Sequence, residues 1–534
     1  MTSLIWLFAL IFNRYDLPAQ QPPAVIDVQH YVFNVEINDR NDSVKGQATI
    51  HFKFMKRANQ ISLDLISPRA DGKGMKISSI TENGKTVSYT HTNDIVLIRF
   101  DAVDSASIEK TIQVNYQGIP ADGLIIAKNK YNHRTFFGDH WPNRARHWLP
   151  CIDHPSDKAS VEFVVTAPSH YQVISNGVMI EETNLDSTRK LSHYSETVPL
   201  PMKVAVIGIA DFAVHYEGEV NNIPVHSWVY PEDRLKGFYD YKLAMEILPF
   251  FIKNIGPYAY KKLANVQSKT IFGGMENAGA IFYAENSVTG KRTAEGLIAH
   301  EIAHQWFGNM ATETEWAHLW LSEGFATYMA TLYMENKYGP DTATKLRIED
   351  RMQVLAFLKQ KSGPVVDSST TNYLELLNAN SYQKGGWILH MLRKQLGDST
   401  FWKGIRSYYA QYSGKNASTD DFRKVIEKIS GKELNRFFKQ WLYTAGHPQL
   451  DINWEYDTGK KLVTLYILQQ QATIFEFPLE IKIVAAGKGN VITKNIIVTD
   501  KQVSIKVPMV NKPLQISIDP AVNLLYEGSV RERN

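Results

Sequence analysis

LIAHEIAHQWFGNM, residues Leu297 to Met310, sets two histidines four apart around a glutamate in an otherwise apolar segment. The pattern predicts a helix over 293–310, with Thr293 as a candidate N-cap and Gly308 and Asn309 as the stop. At 3.6 residues per turn, His300 and His304 stand one above the other on a single face. Neutral imidazoles at that spacing can share one zinc ion, each nitrogen about 2.0–2.1 Å from it. Glu301 is turned by roughly 100° from His300, so it would flank such an ion instead of binding it. The bland alternative is a helix face with two ordinary histidines, and the five-residue pattern alone does not decide between them.

A catalytic zinc needs a third protein ligand and one position left for water. The following stretch, EWAHLWLSEGFATYMATLYM, supplies Glu323 in apolar, aromatic-rich surroundings. An unpaired buried carboxylate there would be costly, and coordination removes that cost. The alternative is a glutamate at the solvated edge of a helix. Upstream, TIFGGMENAGAIFY interrupts an apolar run with Gly273 and Gly274, as glycines do where one backbone must approach another. Glu276 is the only acid of that run; as a plain hairpin turn it would be solvated.

The rest of the chain frames this centre. A length of 534 residues predicts two to four domains. The 58 basic and 55 acidic residues nearly cancel and form no block of like charge, so nothing points to nucleic acid. Cys151 is the only cysteine, which excludes an intramolecular disulfide and any zinc site built from several thiolates. Alternating segments such as ATIHFKF, with Ile50, Phe52 and Phe54 on one face, run to about Phe212. Helical texture, beginning with DRLKGFYDYKLAMEILPFFIKNIG, then dominates to about His447. Alternation returns in FEFPLEIKIV, where Phe475, Phe477, Leu479, Ile481 and Ile483 share a face. The fold class expected is multidomain α+β, with an all-β domain over 22–212, a mainly helical catalytic domain over 213–447 and a β-sandwich over 448–534. At the N-terminus, the short apolar run Ile5–Phe12 precedes Ala19, a candidate cleavage position. Residues 1–21 are read as a weak export signal for a periplasmic or secreted protein, the alternative being a cytoplasmic one. The run is far too short to span a membrane.

HEIAH, followed nineteen residues after His304 by the glutamate of WLSEG, resembles the gluzincin aminopeptidases, the aminopeptidase N and leukotriene hydrolase family. GGMEN is similar to that family's GxMEN motif, and SYQKGG to its YxKG segment. The resemblance implies a thermolysin-like catalytic domain and one zinc ion held by His300, His304 and Glu323. It further implies Glu301 as the residue that polarises water and Tyr382 as the hydroxyl donor to the oxyanion. Along Gly273, Gly274, Met275, Glu276 and Asn277 it implies a strand that pairs with the substrate backbone, with Glu276 binding the free α-ammonium. The expected substrates are peptides with a free N-terminus, and the protein a monomer or homodimer.

The resemblance also marks departures. RARHWLPCIDHPSDKA follows the family's segment in outline, but His154 stands where many members have glutamate. Counting back from Cys151, Trp141 occupies the position of a Gln or Glu that helps hold the substrate amine, and Asp139 is the nearest substitute acid. Trp141 is expected to wall the first side-chain pocket. His318 and Ser322 replace a frequent aspartate and asparagine without removing a ligand. Longer members continue into a C-terminal helical domain; a short form lacking it is expected to have a more open cleft, or one completed by a dimer partner.

Overall fold

The computed structural model describes residues 25–487 and 490–533, so the leader expected over 1–21 lies outside the described residues. Alternation does in the first region what the sequence predicts. Ile26–Glu36 and Val44–Phe54 pair antiparallel, and Tyr31, Phe33, Val35, Ile50, Phe52 and Phe54 all turn inward and are buried. They lie at the middle of an eight-stranded sheet that also takes in Ala159–Pro168, Arg189–Leu200 and Glu109–Ile119. Two smaller sheets complete this region. One consists of Ala58–Asp64, Ile95–Asp104 and Ser88–Thr92; the other of Gln172–Ser175, Ile207–Ala210, Arg134–Gly138 and Leu124–Lys128.

The middle region opens with a sheet where helix was expected. Its five strands run in the order Ala213–Val220, Ile223–Val229, Leu263–Ser268, Ala280–Ala284 and Gly274–Met275. The two-residue strand Gly274–Met275 is therefore an edge, paired on one side only, to Tyr283 and Phe282. The single long helix expected near residues 233–256 is two, Arg234–Tyr241 and Ala244–Asn254. The break comes where Leu243 and Met245 bond three residues back, to Asp240 and Lys242, and the last turn tightens. Helices then follow to Leu442, the longest being Trp320–Tyr338 and Pro340–Gln360. The final region is β-rich, in sheets of four and three strands, and Phe475, Phe477, Leu479, Ile481 and Ile483 are each buried, as their alternation requires. Among the described residues no helix is long and apolar enough to cross a membrane.

The first region is tied to the middle one by buried amines and amides that grip main-chain oxygens. Lys158 Nζ donates to the carbonyls of Asn309 (3.2 Å), Met310 (2.7 Å) and Lys415 (3.0 Å). In the other direction Lys262 Nζ donates to the carbonyls of Ser175 (2.6 Å) and Gly177. Asn176 Nδ2 donates to the carbonyl of Ala278 (2.8 Å), beside the GGMEN turn. Burial, the dominant influence on both lysines, pushes each amine down to about 7.

Candidate metal centre and substrate cleft

The helix carrying the histidine pair is shorter than its pattern suggested, Glu295–Ala303. Thr293 does not cap it; its hydroxyl donates to Thr289 Oγ1 instead, and Ala294 holds the N-cap position. His304 itself is the C-cap, and Gly308, at φ +112°, turns the chain back toward it.

Three ligand atoms converge at this helix end. His300 Nε2 lies 3.0 Å from His304 Nε2 and 3.3 Å from Glu323 Oε2, and His304 Nε2 lies 3.2 Å from that oxygen. Donors about 2.0–2.1 Å from a tetrahedral ion stand about 3.3–3.4 Å apart, so the three atoms fit one face of such a shell. Second partners orient them. His304 Nδ1 donates to the carbonyl of Phe307 at 3.1 Å, with Ser322 Oγ also at 3.1 Å. A carbonyl only accepts, so Nδ1 keeps a proton and Nε2 is the nitrogen that can offer a lone pair to the centre once it gives up its own. Burial works against charge on His304, yet the Glu323 carboxylate beside it prevails and pushes its pKa up to about 10. Burial alone would raise Glu323, but the two imidazoles hold it below the usual carboxylate range.

Glu301 is buried on the same helix without contributing to the ligand triangle. Burial, opposed by His304 and assisted by Glu276, raises its carboxyl well above the ordinary value. Its closest neighbour is the edge strand. A Cβ built on Gly274 would stand 2.3 Å from Glu301 Oε1, so any larger residue there would displace the Glu301 carboxylate. Glu276 follows two residues later and is also buried, and its Oε1 has no hydrogen-bond partner among the described residues. Burial pushes its pKa upward. Its backbone is held firmly, since the carbonyl of Glu276 accepts from Gln305 Nε2 (2.9 Å) and Asn309 Nδ2 (2.7 Å).

Tyr382 reaches the centre from a π-helical turn, Asn380–Lys384, and its ring stacks on His300 with centroids 5.8 Å apart. Such turns add a residue to a helical stretch and often mark functional positions. What permits the approach is a glycine contact. A Cβ on Gly324 would fall 2.8 Å from Gly385 Cα, so the helix of Glu323 and that of Tyr382 touch backbone to backbone. Gly324→Ala is expected to destabilise the fold by about 1–3 kcal/mol through overpacking. It should also lower turnover by moving Tyr382 from Glu323; the thermal midpoint and kcat check both effects.

These groups line a cleft of about 500 Å³, whose walls also include Trp141, Phe272, Thr327, Leu346 and Asp350. Two profiles match the chain: one described as Peptidase family M1 domain, over residues 239–441, and one described as Peptidase M1 N-terminal domain, over residues 27–202. The chain belongs to the M1 peptidase family. It is similar to "Probable aminopeptidase 2" of Sulfurisphaera tokodaii, 28% identical over 444 residues, covering 79% of this chain and 54% of the relative. It is 26% identical over 471 residues to "Aminopeptidase 2" of Candida albicans, covering 83% of this chain and 50% of that one. With the human "Glutamyl aminopeptidase" it shares 28% over 340 residues, covering 59% of this chain and 34% of that one. The chain spans about half the length of the curated relatives it matches most extensively.

In this M1 peptidase the cleft brings together His300, His304, Glu323, Glu301, Tyr382, Gly273, Gly274, Met275, Glu276 and Trp141. Asn277 is fully buried and is not among the described cleft-lining residues. Trp141 packs edge-to-face on Phe272 and Trp316, and its buried indole N–H has no partner among the described residues. Asp139 is not available as a substitute acid. It is fully buried, accepting from Arg144 at one oxygen and from Thr270 Oγ1 (3.0 Å) and Ile271 N (3.1 Å) at the other. His154 and His318 stand outside the centre, bonded to Ser156 and Thr419. Sequence reasoning missed Gln305 and Asn309, which anchor the Glu276 turn. The signal for them was two buried polar side chains inside an apolar, aromatic stretch directly after His304.

Proposed function

We propose that this M1 peptidase is a zinc-dependent aminopeptidase that hydrolyses the first peptide bond of peptides with a free N-terminus. The observation that carries this reading is Glu276: a buried carboxylate oxygen without a partner, inside the cleft that holds the ligand triangle. Such an oxygen suits an ammonium group, and a fixed acid near the reacting centre admits only the chain's first residue. The unpaired edge of Gly274–Met275 can take up the substrate backbone as an added strand. His300, His304 and Glu323 would hold the zinc. When bound, zinc polarises the scissile carbonyl and lowers the pKa of water to about 7.

The chain's own residues supply the remainder. Glu301, with its raised proton affinity, takes the proton from water and delivers it to the departing amine nitrogen. Tyr382, also raised by burial, keeps its phenolic proton and donates a hydrogen bond to the developing oxyanion. Trp141 offers no charge for the amine, so Glu276 serves as the principal anchor at that end and the indole shapes the side-chain pocket.

The test is a panel of aminoacyl-coumarins beside their N-acetylated forms. Free amines should be cleaved and acetylated ones spared, and Glu276→Ala should lower kcat/KM on the free amines by about a hundredfold. Equal cleavage of both forms would favour an endopeptidase of thermolysin type. In the same panel Trp141→Ala is expected to reorder the preferred first residue; an unchanged order would show that the indole does not set it.

A further inference from the structure

One wall of the cleft carries an acid that the proposed chemistry does not use. From Glu323 the helix runs on through Thr327, Ala330, Thr331 and Met334, all lining the cleft. At 1.5 Å per residue this wall starts about 6 Å beyond Glu323 and extends to about 16 Å. After Gly339 the chain turns, and the helix Pro340–Gln360 packs on the first, adding Leu346 and, one turn later, Asp350 to the wall.

Asp350 is half-buried, and its carboxylate makes no hydrogen bond or ion pair with any described residue. Burial, with Glu349 as the next influence, pushes it up to about 7. The basic residues beside it on its helix are turned elsewhere. Arg347 Nε donates to the carbonyl of Val522, and Arg351 faces Asp519 at 3.9 Å. Leu346, Ala330 and Met334, which line the same cleft, are apolar and suit the stem of a long side chain.

With the amine held at Glu276, we place the leaving part of a bound peptide along this second wall. Extended peptide advances about 3.3 Å per residue, so the first residue after the scissile bond stands just short of this wall, where a long side chain reaches it, and the second stands beside it. We infer that Asp350 is a specificity-determining residue that selects peptides carrying lysine or arginine just after the scissile bond. This inference rests on the aminopeptidase reading.

The experiment compares hydrolysis of alanyl-lysine amide and alanyl-norleucine amide, which differ in the ammonium alone. The wild type should favour lysine in kcat/KM. Asp350→Asn should reduce that ratio about tenfold, Asp350→Glu should keep it, and Asp350→Lys should shift preference to alanyl-glutamate amide. A readout without turnover is the Kd of the metal-stripped protein for the same peptides, with lysine bound more tightly only when residue 350 is acidic. Hydrolysis with a lysine-to-norleucine ratio unmoved by Asp350→Asn and Asp350→Lys would overturn this inference alone. Failure of the wild type to cleave free-amine coumarins would overturn the underlying reading, and this one with it.

Discussion

Glu301→Gln is expected to lower kcat on an alanyl-coumarin by about 10³-fold while zinc content stays at one ion per chain. The substitution keeps the shape of the side chain, and shape matters here because Gly274 leaves room for no more than a bare backbone beside it. What it removes is the capacity to accept and return a proton, a contribution of about 10²–10⁴ in general acid–base catalysis. The ligand triangle of His300, His304 and Glu323 does not include Glu301, so metal analysis should not distinguish variant from wild type. KM should move little, since the amine anchor and the edge strand are untouched. A kcat within tenfold of the wild type would remove Glu301 from the proposed proton path.

Glu323→Ala is expected to abolish both activity and zinc binding in a chain that still folds, as judged by circular dichroism. Altering the outer partners of a metal ligand commonly costs 10–100-fold in affinity; deleting a ligand should exceed that. The carboxylate also balances charge. It is the influence that pushes His304 up to about 10 against the effect of burial. A proton and a divalent cation thus compete for His304, and binding of the cation releases the proton. Zinc affinity of the wild type should therefore rise with pH across the neutral range and fall on acidification. Calorimetric titration with zinc at several pH values measures it, and a variant that keeps stoichiometric zinc would exclude Glu323 as a ligand.

Helical spacing and apolar context make the cluster of His300, His304 and Glu323 legible in the sequence, because both are local properties of the chain. Alternation likewise identifies the inward faces of the strands at each end. Other features depend on what lies across space. That Gly324 meets Gly385 is invisible until two helices cross. That Asp139 is consumed by Arg144 and the Thr270 loop depends on two segments more than a hundred residues apart. The helix at His300 stops early because Gly308 turns the chain back, and a periodic pattern continuing past the stop conceals this. Asp350 reads as one more acid on a charged helix. Only the cleft on its far side gives it a role.

The lysine and asparagine contacts that join the first region to the middle one have an evolutionary consequence. Lys158, Lys262 and Asn176 bind carbonyl oxygens, which every residue type presents alike. As far as these bonds are concerned, the gripped segment can therefore change its side chains while the junction survives, whereas the gripping residue must keep its donor. Drift across the boundary should thus be one-sided, with variation tolerated at the exposed Lys415 and refused at Lys158. A junction of this kind leaves the residues around the cleft free to diversify toward new peptides without renegotiating how the two regions meet.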